Sequence, residues 1–124
     1  MKKKKLKERI KKEWMNIVFN LIFISANLFI VILFYDKIII ASIFLGLMAV
    51  TGLIRWKSWI TIIIFFMSAI LGFVIEIIAI KFDVWIYSYS NFLGAPLWLL
   101  LAWGNTGVFI YQTAIELKNL GVKK

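Results

Sequence analysis

The chain has 124 residues, enough for one domain, and 63% of it is hydrophobic, against roughly 45–50% in a soluble globular domain. A water-soluble protein this small would leave too much apolar surface at its boundary, so a bilayer is the expected solvent. Cysteine and histidine are both absent, which excludes disulfides, thiol nucleophiles, Cys- or His-based metal centres, the Ser-His-Asp triad and an imidazole proton shuttle. Any acid–base chemistry falls to carboxylates, Lys or Tyr, and neither a cofactor nor a metal is expected. The formal net charge is +9, and eight of the fifteen basic residues (Lys2, Lys3, Lys4, Lys5, Lys7, Arg9, Lys11, Lys12) precede Trp14. A lysine run beside an apolar stretch is expected to meet anionic lipid headgroups and to set topology; nucleic acid is not the expected partner.

In chain order, residues 1–13 form a basic segment, and the first apolar span runs from Trp14 to Tyr35. It is longer than the roughly 7–15 apolar residues of a signal peptide, and no small-x-small cleavage site follows it. It therefore reads as a retained anchor. Asn16, Asn20 and Asn27 lie on one side of it. The second span, 38–54, is short for a hydrocarbon core of about 30 Å and carries a small-residue face of Ser42, Gly46 and Ala49. The third, 59–80, is interrupted only by Glu76. The fourth, 96–115, opens on Pro96, which suits a first helical turn because its missing N–H costs nothing there. A basic tail, 116–124, follows.

Between the third and fourth spans lies Lys81–Ala95, with Phe82, Trp85, Tyr87, Tyr89 and Phe92. Trp and Tyr favour the headgroup boundary, and the period of two at Trp85, Tyr87 and Tyr89 also suits an extended segment folded back over the helices. Of the fifteen basic residues only Lys37 and Lys81 fall on the side of this segment; Arg55, Lys57, Lys118, Lys123 and Lys124 join the N-terminal eight on the other. The expected fold is an all-α integral membrane four-helix bundle, with both termini cytoplasmic and an aromatic-rich outer loop between helices 3 and 4.

Glu76 is the leading candidate for chemistry. An ionisable group within a span is costly, so it is paired, wetted or functional. Ser68, Gly72, Glu76, Ala79 and Asp83 fall at i, i+4, i+8, i+11 and i+15, one narrow face pointing into the bundle if the helix continues. Two readings stand. Glu76 either locks the bundle, for example through Lys81, or acts with Asp83, about 10 Å away on a straight helix, as a catalytic acid and base. The polar stripes, Asn16, Asn20 and Asn27 on the first span and Asn105, Gln112 and Glu116 on the fourth, suit interhelical hydrogen bonds, and Asn105 is also a candidate ligand contact. Gly104 and Gly107 either loosen the fourth helix or admit a close neighbour. A carboxylate roofed by Trp85 and Tyr87 suits a cation or a flat unsaturated lipid.

The run Gly72-Phe-Val-Ile-Glu76, Asp83-Val-Trp85-Ile-Tyr87 and Leu93-Gly94-Ala-Pro96-Leu-Trp98 through Trp103-Gly104 resembles small uncharacterised prokaryotic polytopic membrane proteins. It is also distantly similar to the membrane hydratases of carotenoid biosynthesis. This resemblance covers about residues 70–105. It implies that Glu76 is an acid, with Trp85, Tyr87, Pro96 and Trp98 as signature positions, and that the aromatics, Trp103 included, wall an isoprenoid-like site. The chain departs from the hydratases in its shorter length and at Asp83, where a glycine is usual. Three function classes stay open: a lipid or isoprenoid site at Glu76, an oligomeric small transporter or channel subunit using Glu76 for proton or cation coupling, and a non-catalytic membrane scaffold.

Overall fold

The computed structural model describes residues 1–122; Lys123 and Lys124, read above as part of the inner basic tail, lie outside the described residues. Four helices account for most of the chain: α1 Lys2–Phe34, α2 Ile38–Trp56, α3 Trp59–Lys81 and α4 Trp98–Asn119. Among the described residues there is no strand, only one isolated bridge between Phe92 and Ala95. The basic segment 1–13 and the first span are a single helix. Lys, Glu, Arg and Leu are strong helix formers, and neither Gly nor Pro occurs before Gly46 to interrupt them. At 33 residues, α1 is about 50 Å long, well beyond a hydrocarbon core.

Local chemistry sets the other boundaries. Lys57 turns left-handed (φ 46°) to end α2, and the Ser58 hydroxyl then accepts from Thr61 N–H at 3.4 Å to start α3. Asp83, at φ 56°, ends α3: its N–H donates to Ile80 O (3.1 Å) and that of Val84 to Ala79 O (2.9 Å). This is the Schellman arrangement, with Asp in the left-handed position that Gly most often fills. The fourth helix begins two residues later than the fourth span read from the sequence and runs four residues beyond it. Pro96 lies just ahead of it, its carbonyl accepting from Leu99 N–H at 3.1 Å.

Helices α1, α2 and α3 are each long and apolar enough to cross a membrane. α4 has no stretch that meets this measure, and it packs against all three of the others. That position accounts for its composition. Asn105, Gln112 and Glu116 are buried between helices and shielded from the bundle's outer face. Glycines let the backbones approach: a side chain at Gly72 would overlap the Trp103 ring, and one at Gly104 the Phe65 ring. The apolar core has two parts, Phe23, Ala49, Phe65 and Val108 toward the chain termini, and Ala41, Leu45, Phe73, Ala95, Trp98 and Leu99 beneath the α3–α4 connection.

A polar ladder joins α1 to α4 in antiparallel register. Asn119 Nδ2 donates to Glu13 Oε1 (3.4 Å), Asn16 Nδ2 to Glu116 Oε2 (3.4 Å), and Asn20 Nδ2 to Thr113 Oγ1 (3.3 Å). Asn105 Nδ2 donates to both Asn27 Oδ1 and Leu45 O, so one carboxamide ties α1, α2 and α4. Gln112 Nε2 reaches Thr61 Oγ1 on α3. The two stripes foreseen on α1 and α4 therefore meet each other, and both ends of the described chain lie at the same end of the bundle.

Candidate functional site

Glu76 lies on the inward face of α3 together with Gly72 and Phe73, and is only 6% exposed. Three neutral donors converge on it. Trp85 Nε1 donates to Oε2 at 2.9 Å, the Tyr87 hydroxyl donates to Oε2 at 2.7 Å, and Trp103 Nε1 donates to Oε1 at 3.1 Å. The donors come from two places, the α3–α4 connection and the middle of α4. Among the described residues the only ion pair is Lys37 with Asp36, so Lys81 does not hold Glu76. An indole N–H only donates. Both oxygens must therefore keep a lone pair toward a Trp.

The chain reversal at Asp83 is what makes this possible. Once the Schellman turn has ended α3, Trp85–Tyr87 runs back along the helix in extended form. Successive side chains then alternate, so Trp85 and Tyr87 both face Glu76 while Ile86 between them is 81% exposed. The period of two seen in the sequence holds over these residues. Tyr89 leaves the carboxylate and packs edge-on against Tyr35 at 5.9 Å. Farther on, Leu93 and Gly94 both take positive φ (51° and 85°), forming a tight turn closed by hydrogen bonds between Phe92 and Ala95. The Asn91 side chain accepts from Leu97 N–H at 2.9 Å and delivers the chain into α4.

Asp83 stands apart from this cluster. It is exposed, and among the described residues no hydrogen bond joins it to Glu76. The narrow face on which it was expected requires a continuous helix, and α3 stops at Lys81. Trp98 is 6% exposed, and among the described residues its Nε1 has no hydrogen-bond partner. Asn105 is fully buried in the knot with Asn27 and Leu45 O, away from the aromatic cap.

Tyr87 is the one donor that can also accept. Burial, and after it the hydrogen bond to Glu76 and the nearby negative charge, push its ionisation well above the ordinary tyrosine value. It stays a neutral donor across the physiological range. Tyr87 also lines a cavity of about 260 Å³ with Tyr35, Ile86, Ser88, Tyr89 and Trp98.

A second carboxylate cluster lies at the termini end, joining Glu116 of the expected polar stripe to Glu13, which was not expected to be buried. Glu13 and Glu116 are 8% and 7% exposed. Each is bound through an asparagine that also meets an arginine: Arg55 donates to Asn16 Oδ1 (3.2 Å), and Arg9 to Asn119 O (3.4 Å). The signal was present as Glu-x-x-Asn at 13–16 and again at 116–119. Glu13 was hidden because Lys11 and Lys12 precede it and it closes the basic segment 1–13.

No family model, curated protein or solved structure matches the chain.

Proposed function

We propose that this chain is a multi-pass cell-membrane protein, with both termini in the cytoplasm, whose outer half binds a lipid-like ligand beneath an aromatic cap held by Glu76. The observation that carries this reading is the convergence of Trp85, Tyr87 and Trp103 on one buried carboxylate. Two of the three donors sit on the connection, so one side chain of α3 holds the cap in place. Releasing two hydrogen bonds would free it, and beside it, against the same connection, lies a small open aromatic cavity with a few polar groups, the usual make-up of a ligand site.

On this reading Glu76 is a positioning residue. Its oxygens are already occupied, which weighs against a resting role as a proton or cation carrier in transport. Tyr87 stands between the cavity and the carboxylate and is the route by which a proton would reach Glu76. The orientation is supported by the charge distribution: the end that holds both termini also carries the lysine cluster. α1 extends past the hydrocarbon core by about 20 Å, which brings Lys2–Lys12 to the level of anionic headgroups and beyond.

Glu76→Gln tests the reading. A carboxamide presents donors where two indoles require an acceptor, so the three-donor cluster that holds the cap loses at least one of its bonds, that of Trp85 or that of Trp103. The variant, in nanodiscs, should keep its helical circular dichroism, be cleaved faster by protease within residues 84–92, and retain less co-purified lipid by native mass spectrometry. Unchanged cleavage together with unchanged lipid would overturn the proposal.

A further inference from the structure

We infer that the open cavity between the end of α1 and the α3–α4 connection is an aromatic cage for a quaternary ammonium group, which packs against the rings of Tyr35, Tyr87 and Tyr89. This deepens the lipid-like reading above, on which it rests for the remainder of the ligand, by naming the head group.

The walls come from three places in the chain. Tyr35 caps the end of α1, Tyr87 and Tyr89 stand on the connection, and Trp98 opens α4; Ile86 and Ser88 complete the lining. Tyr35 and Tyr89 meet edge to face, 5.9 Å apart and inclined by 66°. Such a pair uses one face of one ring and an edge of the other. Both residues are half exposed, so ring surface stays free and reachable on each. The hydroxyl of Tyr87 is given to Glu76, so what Tyr87 brings to the cavity is its ring. The volume, about 260 Å³, lies below the roughly 300–1,000 Å³ of sites for drug-sized ligands, so the cavity takes a compact group and not a whole lipid.

Charge says which compact group. An aromatic ring is negative on its face, and rings around a cavity attract a weakly hydrated cation. Among the described residues no Lys or Arg lines the cavity to repel one, and no Asp or Glu lines it to ligate a metal ion. A tyrosine that shares its proton with a carboxylate carries more electron density in its ring, and Tyr87 does so with Glu76. The cap end carries Asp36, Glu76 and Asp83 against Lys37 and Lys81, and Lys37 is paired with Asp36 at 3.6 Å, whereas the other end holds the lysine cluster. A cation is therefore drawn to this end of an otherwise strongly basic protein. A trimethylammonium has no N–H to satisfy on entering, whereas a primary ammonium has three. The same group is carried by a choline lipid and by free choline.

The test uses full-length protein in phosphatidylglycerol nanodiscs, with choline and its neutral tert-butyl isostere, dimethylbutanol, as probes. The readout is saturation transfer from the protein to their methyl protons, corrected with empty discs. Choline should bind roughly five- to thirtyfold tighter than the isostere, the worth of two exposed ring contacts. Tyr35→Leu and Tyr89→Leu should each reduce that preference severalfold, whereas Tyr35→Phe and Tyr89→Phe, which keep the rings, should retain most of it. Equal binding of choline and isostere, or a preference that survives both leucine variants, would overturn the inference. The first comparison uses the wild type alone and so decides even where a variant fails to fold. Phosphatidylcholine discs separate the two sources. A lipid head seated in the cage should weaken added choline at least roughly tenfold, which supports both the cage and the lipid-like reading. Undiminished choline affinity there, with total bound lipid unchanged in Glu76→Gln, leaves the cage standing for a free solute while the lipid-like reading falls. If choline and isostere bind equally but Glu76→Gln sheds lipid, the lipid-like reading stands and the cage falls.

Discussion

The two ends of the bundle bury carboxylates by different means. At the cap end, Glu76 is held by three neutral aromatic donors, two of them on an irregular connection. At the termini end, Glu13 and Glu116 are held by carboxamides on facing helices, each within reach of an arginine through the same asparagine. The terminal cluster is helix against helix, and its groups move only if the helices move. The cap cluster has one rigid wall and one detachable one. A carboxylate that fastens a loop suits a site that opens, whereas one that pins two helices suits a fixed scaffold.

The contrast breaks most directly at Gly72. Its missing side chain makes room for the Trp103 ring, which in turn reaches Glu76. Gly72→Leu should displace that ring and lower stability by about 3 kcal/mol, the upper range for overpacking, seen as a fall in the thermal midpoint in detergent. It should also expose the cap to protease. Unchanged cleavage would mean that the cap does not depend on α4.

A smaller effect is expected at Tyr87. Tyr87→Phe removes one charge-assisted bond and should cost about 1.5–3 kcal/mol by the same measurement. The pH dependence has a definite sign. The folded state raises the ionisation of Tyr87, so its contribution is complete below the unfolded value of about 10 and is lost as pH rises from there toward the folded value. The wild type should therefore lose stability in alkali faster than Tyr87→Phe. Parallel pH profiles for the two would show that the fold, by burial and by Glu76 together, does not hold this hydroxyl neutral.

The smallest effect belongs to the termini end. Asn16→Leu removes the bridge from Arg55 to Glu116, through bonds of 3.2 and 3.4 Å. Interhelical polar bonds in membranes average about 0.6 kcal/mol, so the midpoint should fall only slightly, and cap proteolysis should not change. Faster cleavage of the cap in this variant would show that the two ends are coupled.

Much of this was legible in the chain. Four helices follow from the apolar runs, three of them long and apolar enough to span, and the inward face of α3 from the spacing of Ser68, Gly72 and Glu76. The pairing of Asn16, Asn20 and Asn27 with the polar face of α4 was visible as two stripes, though not as one ladder. Asp83 shows where such reading stops. Extrapolating the helix put its carboxylate on the face of Glu76, about 10 Å along it; in the structure Asp83 ends the helix and turns the chain back. Glu13 shows the opposite error, a buried acid that its basic neighbours made look like surface.

What the sequence determined by itself is the fold class and the presence of one carboxylate, Glu76, within an apolar run. Hydrophobic length and the cost of a lone carboxylate among apolar residues are local properties, readable one segment at a time. What Glu76 is bonded to was a tertiary decision. Its three donors lie 9, 11 and 27 residues away, and they meet only because a left-handed residue reverses the chain and a glycine lets Trp103 close on α3. The hydrogen-bonding capacity of Glu, Trp and Tyr is written in the residues; which of them meet depends on a turn and a close approach, and those exist only in the folded chain.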